Sequence, residues 1–174
     1  MMGMISIRRL EQATPEEREA LAELLIDSVD GGASVGFLPP FSRDAAAEYW
    51  RGVLAALGPG LVLWVAEVDG RIDGTVQLAP SLRPNGLHRA EVQKLLVHSR
   101  ARGQGLASRL LQEVEAYARS AGRTLLVLDT LAGSKAEAVY QHCQWQRAGE
   151  IPDWARHTDG ELHPTVLFFK RLVP

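Results

Sequence analysis

The most constraining feature of this sequence is a glycine-rich segment at residues 100–107, with the sequence RARGQGLA. An apolar run at residues 92–97 precedes it and an amphipathic run at residues 106–121 follows, so the pattern predicts a strand, a tight turn and a helix in that order. The first amide groups of a helix lack intrahelical acceptors and lie at the positive end of the helix dipole. Gly103 and Gly105 let the backbone approach an anion without a Cβ in the way. The segment therefore predicts a binding site for phosphate or pyrophosphate.

The residue pattern alone leaves three interpretations of this turn. A P-loop would need the sequence Gly-x-x-x-x-Gly-Lys-[Ser/Thr], which is absent. A Rossmann fingerprint would need a third glycine where Ser108 stands, and it would follow the first strand of a βαβ unit rather than lie past the middle of the chain. The third interpretation is a pyrophosphate site for an acyl-CoA. Under each of them, Arg100 and Arg102 are expected to add mobile positive charge.

Composition limits the class of protein. The chain has 174 residues, which favours one domain with a substantial core. Its formal charge of −2 argues against a general nucleic-acid partner, and its apolar runs are too short for a membrane-spanning helix. Residues 1–5 lack the zones of a signal peptide, so we expect a cytoplasmic protein. The single cysteine, Cys143, excludes an internal disulfide, and the histidines lack metal-ligand spacing, so we expect no metal site.

Hydrophobic periodicity and turn residues predict alternating strands and helices. Asp69-Gly70 suits a type I′ hairpin turn between two apolar strands. We expect a proline-bounded loop around Trp154 and a glycine-rich loop at residues 31–37. We expect strands at 5–9, 61–68, 71–82, 89–97, 124–129, 145–151 and 165–170, and helices after Thr14, at 42–57, at 106–121 and at 134–144.

Residues 100–105 fit the (Arg/Gln)-x-x-Gly-x-(Gly/Ala) signature of the GCN5-related N-acetyltransferases, the GNAT family. The preceding strand, a downstream strand at 125–129 and a helix at 134–140 fit as well, so the sequence resembles this family over nearly its whole length. The resemblance implies one α/β domain over residues 1–174, with a mixed, mostly antiparallel sheet of six to seven strands and helices on both faces. It also implies acetyl-CoA as cosubstrate, and it is compatible with a homodimer.

The resemblance further implies how acetyl-CoA is held. In the family, a bulge separates the central strand from its neighbour, and the pantetheine arm pairs with the freed backbone groups, here of Leu95 and Val97. The backbone amides of the glycine turn would bind the pyrophosphate. The residues that we assign to acetyl-CoA on this basis are Leu95, Leu96, Val97, Arg102, Gly103, Gln104, Gly105, Leu106, Ala107 and Ser134.

Acetyl transfer to an amine needs a base for the amine and a proton for the departing thiolate. Tyr140 matches the tyrosine that lies beside the CoA sulfur in the family, and it is our candidate general acid. Glu91 and Asp129 are our candidates for the general base, directly or through water. Each has a structural alternative: Glu91 as a solvated edge carboxylate, Asp129 as the cap of a turn and Tyr140 as a core aromatic.

Several segments outside the cofactor signature bear on the acceptor. They resemble the tabtoxin-resistance acetyltransferases, a group within the family that acetylates a β-lactam amino acid. The segments are residues 31–37, 84–87, 89–94, 128–130 and 162–165. The resemblance implies a small-molecule acceptor, attacked directly in a ternary complex because Cys143 has no evident base beside it. The alternative is a CoA-binding sensor or partner-binding module without catalysis.

Three features near the expected acceptor pocket have two interpretations each. The loop at residues 31–37 either gates the substrate or merely connects two helices. His163 either lines the pocket or makes a structural hydrogen bond. Trp154 is the tryptophan that we most expect to contact a substrate, although core packing is the commoner role of this residue type.

Overall fold

The computed structural model describes residues 3–173; Met1, Met2 and Pro174 lie outside the described residues, and with them part of the N-terminal stretch considered above. The described chain forms one seven-stranded sheet flanked by four helices. The strands are β1 (Ile5–Arg9), β2 (Val62–Val68), β3 (Arg71–Pro80), β4 (Arg89–Val97), β5 (Leu125–Leu131), β6 (Gln146–Arg156) and β7 (Leu162–Arg171). The helices are α1 (Pro15–Asp30), α2 (Arg43–Ala56), α3 (Leu106–Ser120) and α4 (Lys135–His142), with short 3-10 turns at Pro84–Gly86 and Ser99–Ala101.

The strand order is β1-β2-β3-β4-β5-β7-β6. The pair β4 and β5 is parallel, and the remaining neighbours are antiparallel. The predicted α/β fold with a mixed, mostly antiparallel sheet of six to seven strands is therefore confirmed. The parallel pair lies near the centre of the sheet, where the chain crosses through α3 between the two strands.

Local sequence explains where the helices begin. Thr14 forms a capping box with Glu17, and Pro15 occupies the first helical position, where its missing N–H costs nothing. Ser42 caps α2 by accepting a hydrogen bond from the Ala45 amide at 3.1 Å. Helix α3 differs, because it begins after Gly105 with no side-chain cap.

Helices cover both faces of the sheet, as predicted. Strand β2 shows why, since its side chains alternate between the two faces. Trp64 joins the core under α3 and α4, whereas Leu63 and Val65 join the core under α1 and α2. Trp50 of α2 and Leu110 of α3 are fully buried on opposite sides. This two-sided burial fixes the register of the strands, because a shift by one residue would exchange the faces.

The turns follow the sequence, but the last strands are longer than predicted. Asp69 and Gly70 have φ values of 50° and 80°, which suits the predicted type I′ hairpin turn. The predicted loop around Trp154 is wrong, because Trp154 lies within β6 beside an irregularity in which Asp153 has a φ of 55°. The long antiparallel partner β7 supplies backbone hydrogen bonds that carry β6 past its proline. In residues 3–173, no helix combines the length and apolar character needed to cross a bilayer.

Candidate active site

The central strand β4 contains a bulge. Two residues of β4, Lys94 and Leu95, lie opposite the single residue Val76 of β3, and Lys94 has a φ of 50°. A lysine in this left-handed conformation is strained, so surrounding structure must hold it there. The bulge that the family resemblance implies is thus present at the position where it was expected.

Strands β4 and β5 separate just before the bulge. Their parallel pairing covers only three positions and ends at Glu91 opposite Val127. Strand β5 nevertheless stays paired with β7 as far as Leu131 opposite Thr165. The later part of β4 therefore turns one backbone edge toward an open cleft. Leu95 and Val97 lie along this edge, where free backbone groups could pair with an extended ligand.

The glycine turn lies where this cleft meets α3. Gly103 and Gly105 have φ values of 77° and 78°, and a Cβ at either position would meet nothing within 4 Å. The Ala101 amide donates to the His98 carbonyl, and the Arg109 amide donates to the Gly105 carbonyl. Between them, the amides of residues 102–108 donate to no backbone carbonyl in this described segment. Free donors, open space and a helix N-terminus fit the pyrophosphate of acetyl-CoA.

The two arginines of the turn have different surroundings. Arg100 donates through Nε to Asp73 at 2.7 Å, lies with Nη2 2.6 Å from the same carboxylate, and also pairs with Glu23. The prediction that Arg100 supplies mobile charge is therefore wrong, because buried Asp73 and Glu23 of α1 fix its guanidinium. Arg102 is exposed, and its guanidinium lies near Gly31 at the end of α1. The sequence around Arg100 does not predict these pairs, because Asp73 and Glu23 lie 27 and 77 positions away along the chain.

Ser134 begins helix α4. Its hydroxyl accepts a hydrogen bond from the Glu137 amide at 3.2 Å, so the side chain acts as a helix cap. The Gly133 amide donates to the Glu137 carboxylate at 2.6 Å, which completes the turn between β5 and α4. A contact between Ser134 and acetyl-CoA would have to share the capping hydroxyl or use the backbone.

Both candidate bases lie on the sheet face that α1 and α2 cover. Glu91 is exposed, as is Asp129. Asp129 alternates with buried Leu128, so it points away from α3 and α4. Its carboxylate accepts a hydrogen bond from the Thr165 hydroxyl at 2.9 Å, and β5 continues two residues beyond it, so Asp129 does not end the strand as expected. The Asp129 side chain is therefore oriented by the neighbouring strand β7.

Lys94 adds a positive charge to this group. Burial lowers the pKa of Lys94 below its ordinary value, although the negative charges of Asp129 and Glu91 oppose the shift. These interactions show that the lysine, the two carboxylates and the bulge belong to one electrostatic cluster. The sequence analysis treated Lys94 only as part of the strand, because a left-handed non-glycine residue has no signal in hydropathy.

Tyr140 is buried beside the same cluster. Its exposed fraction is 6%, and its ring lies 5.8 Å from that of Trp145 and 6.0 Å from that of Phe168. Burial raises the pKa of Tyr140 well above its ordinary value, and the nearby Asp129 and Cys143 add to the shift. A tyrosine hydroxyl is protonated at neutral pH, as a general acid must be, and the raised pKa makes this one a weaker proton donor. Tyr140 is a core aromatic of the α3/α4 face by packing, and the negative charge of Asp129 contributes to raising its pKa.

A further polar pair on the α1/α2 face was missed by the sequence analysis. Buried Gln77 of β3 donates to the Tyr49 hydroxyl of α2 at 3.0 Å. Cross-strand pairing places Gln77 directly opposite Gln93 of β4. These side chains extend the polar surface from Glu91 toward α2. Their residue types and spacing gave no signal, since the pair forms only when α2 packs on the sheet.

A cavity of about 240 Å³ lies between the α1–α2 loop and the end of β6. The loop at residues 31–37 forms one wall, and the chain from Ala155 to Thr158 forms the other. His163 is paired with Asp159 at 2.7 Å, which is the structural hydrogen bond considered as its alternative role. Trp154 is 54% exposed and is absent from the lining of this cavity.

Comparison with known proteins identifies the family. The profile of the Acetyltransferase (GNAT) family matches residues 4–145. The chain belongs to the GNAT acetyltransferase family. It is 33% identical over 130 residues to an uncharacterised N-acetyltransferase from the hisH–hisA intergenic region of Azospirillum brasilense, covering 74% of this chain and 76% of that protein. It is also 37% identical over 106 residues to N-acetyltransferase 8 of Rattus norvegicus, covering 60% of this chain and 47% of the relative.

Solved structures share the fold. An N-acetyltransferase from Staphylococcus aureus Mu50 superposes with a TM-score of 0.79 at 20% identity, covering 98% of this chain and 99% of the other. A protein from Salmonella typhimurium, whose structure contains acetyl-CoA, superposes with a TM-score of 0.76 at 17% identity, covering 97% and 94% of the two chains. This GNAT protein is thus an acetyltransferase enzyme with acetyl-CoA as its acetyl donor. Within residues 3–173, no three His, Cys, Asp or Glu side chains lie together in a way that could hold a metal ion.

Proposed function

We propose that this GNAT enzyme transfers the acetyl group of acetyl-CoA to an amine of a small molecule. The observation that carries the proposal is the cleft between β4 and β5, because it connects the free amides of the glycine turn with the cluster of Lys94, Glu91, Asp129 and Tyr140. One end of this cleft suits a diphosphate, and the other offers groups that can take and give a proton. Hydroxyl acetylation would use the same groups, so an alcohol is the second acceptor class to test.

Acetyl-CoA would be held along the free edge of β4 and at the glycine turn. The backbone of residues 95–97 would pair with the pantetheine arm, and the amides of residues 102–107 would bind the pyrophosphate. Exposed Arg102 would supply a mobile charge near the phosphates, whereas Arg100 would fix the turn. Ser134 would contribute through its position at the start of α4.

The proton transfers would be divided between the two sheet faces. Glu91 or Asp129 would accept the proton of the attacking amine on the α1/α2 face, directly or through one water. Tyr140, whose pKa is raised, would protonate the departing thiolate. Attack would be direct in a ternary complex, since the Cys143 Sγ donates to the Ser108 Oγ at 3.5 Å rather than to a base that could activate it.

Acceptors resembling tabtoxinine-β-lactam remain our first candidates within this class. The support is the sequence resemblance of residues 31–37, which form one wall of the cavity, and of residues 162–165, which begin β7 and pair with the end of β6 that forms the other wall. We also propose that the chain is a single domain and acts in the cytoplasm. A homodimer is compatible with the family.

The test is release of free CoA thiol from acetyl-CoA in the presence of pooled acceptors. The pools would contain amino acids and their β-lactam analogues, aliphatic amines, alcohols and lysine peptides, and mass spectrometry would identify the acetylated product. We expect thiol release with an amine pool and a product heavier by one acetyl group. Tight acetyl-CoA binding without release in any pool would instead favour the non-catalytic sensor, and a product found only on peptides would replace the small-molecule acceptor with a protein one.

A further inference from the structure

The cavity beside the α1–α2 loop is lined by hydrogen-bond donors. Its polar lining residues are Ser34, Arg156, His157 and Thr158, and the Arg156 guanidinium already donates to the Gly160 carbonyl. The remaining lining residues are Val29, Gly32, Ala33, Gly36, Phe37, Leu38 and Ala155, so no carboxylate side chain lines it. Asp159, in the same turn, is held by His163 at 2.7 Å and by the Glu161 amide at 2.9 Å. The cavity therefore favours an anionic group.

His157 offers an unused polar atom in this cavity. Its Nε2 is buried and has no hydrogen-bond partner among residues 3–173. The backbone of His157 is fixed, because its amide donates to the Glu161 carbonyl at 2.9 Å and its carbonyl accepts from the Gly160 amide at 3.0 Å. A buried polar atom without a partner costs free energy, which a bound ligand with a matching group would recover.

The backbone of the opposite wall supplies more donors. The amides of Gly32 and Ala33 are used in the cap of α1, where they donate to the carbonyls of Val29 and Ser28 at 3.0 Å each. The amides of residues 34–37 have no backbone acceptor in this described loop. Both walls thus contain residues with hydrogen-bond donors, and Phe37 and Val29 add apolar surface.

A row of residues connects this cavity to Asp129. Thr165 donates to Asp129, and His163 lies two residues before Thr165 on the same face of β7, about 6.8 Å away. The His163 and His157 rings are 5.1 Å apart. The three steps from Asp129 through Thr165 and His163 to His157 add to about 15 Å, which is an upper limit on the distance between the two ends. With one hydrogen bond at each end, at most about 9 Å remains between the amine and the anionic group of a bound acceptor.

We propose that this cavity binds a carboxylate of the acceptor through His157 and its neighbouring donors. The preferred acceptors are then small amines that carry a carboxylate at the far end of a short chain, such as an ω-amino acid or a diamino acid acetylated on its side-chain amine. This inference names the substrate class of the proposed acetyltransferase and rests on that function. His157 is its specificity-determining residue, and the acetyl-transfer groups remain those described above.

The experiment compares 5-aminopentanoate with its uncharged counterparts 5-aminopentanamide and pentylamine. All three present the same primary amine, so the comparison isolates the carboxylate. We expect kcat/KM for acetyl transfer to be at least tenfold higher for the carboxylate, with the difference mainly in KM. In parallel, calorimetry of the enzyme–CoA complex should detect binding of 5-aminopentanoate at concentrations where the amide does not bind.

Variants assign the effect to His157. His157→Leu should reduce the preference to less than threefold, His157→Gln should retain part of it by keeping a donor, and His88→Leu, at an exposed histidine before β4, should leave it unchanged. Equal rates for the three amines, or an undiminished preference in folded His157→Leu, would overturn the inference and leave the acetyltransferase function intact. If no amine is acetylated, the proposed function fails, and calorimetry still decides: binding of the carboxylate alone supports the cavity's role, and absence of binding refutes it.

Discussion

The proposed cofactor side and the proposed acceptor side of this enzyme are built in different ways. The glycine turn uses consecutive residues, 100–107, whose backbone amides and φ angles create the site. The acceptor side collects Glu91 from β4, Asp129 from β5, Thr165 from β7 and the cavity beneath the α1–α2 loop. Backbone groups would bind acetyl-CoA, which is the same throughout the family. Side chains from separate elements would bind the acceptor, which differs between members.

This difference predicts which substitutions should affect acetyl-CoA binding and which should affect catalysis. A backbone site is disrupted by altering conformation or adding charge, and most side-chain truncations should leave it intact. A side-chain site loses one chemical role with each substitution, while its fold remains. The following four expectations test that distinction in order of decreasing effect on the reaction.

Gly103→Glu should have the largest effect. A non-glycine residue with a φ near 77° costs about 1–2 kcal/mol, and a carboxylate near a diphosphate adds repulsion of about 4 kcal/mol per charge pair near the surface. We expect acetyl-CoA to bind roughly 10³-fold more weakly, as measured by calorimetry. Gly52→Glu, at an open position of α2 with ordinary φ, adds the same charge elsewhere and should bind normally. Unchanged affinity in Gly103→Glu would refute the pyrophosphate assignment.

Tyr140→Phe should lower kcat by roughly 10²-fold, because the proposed general acid is lost while the ring still fills the core. Acetyl-CoA affinity should be nearly unchanged. Since the pKa of Tyr140 is raised, ionisation of its hydroxyl should cause no fall in the wild-type rate at mildly alkaline pH. The control is Tyr117→Phe on α3, whose ring contacts Trp64 at 5.1 Å. A normal kcat in Tyr140→Phe would leave this residue with a packing role alone.

Glu91→Gln and Asp129→Asn should each reduce kcat by roughly tenfold if the two carboxylates share the base role through water. A base must be unprotonated to act, so activity that depends on it rises with pH and the substitution should flatten that rise. The pH profile of kcat/KM is the measurement, with Glu113→Gln on the exposed face of α3 as control. Profiles that match wild type in both variants would mean that bulk water accepts the proton.

Arg100→Met and Arg102→Met should show which arginine stabilises the fold and which binds acetyl-CoA. Removing Arg100 leaves buried Asp73 with only the longer contact to Arg71 Nε at 3.6 Å, so the free energy of unfolding should fall by roughly 3 kcal/mol. Removing Arg102 should leave stability unchanged and weaken acetyl-CoA binding by only about threefold, because the exposed charge is screened. Urea unfolding and CoA titration of both variants provide the comparison, and the opposite pattern would show that Arg100 is the ligand-facing arginine.

The sequence analysis was more accurate for the proposed cofactor side than for the proposed acceptor side. Strand β4, the turn and helix α3 were predicted with nearly correct bounds, because their signals are local: an apolar run, two glycines and an amphipathic period. The loop around Trp154 was wrong, because pairing with β7 overrides the proline signal and carries β6 through to Arg156. Tyr49, Gln77 and Lys94 were missed, since their environment depends on contacts between distant elements.

By itself, the sequence determined the fold class, the family and the position of the glycine turn, because hydrophobic period, turn residues and backbone freedom are properties of neighbouring residues. Only the tertiary structure decided that Arg100 is held by Asp73 and Glu23, that β4 and β5 separate after Glu91, and that His157 is buried without a partner. The physical reason is that burial, charge pairing and strand separation depend on which distant residues meet, and a linear pattern does not contain those distances.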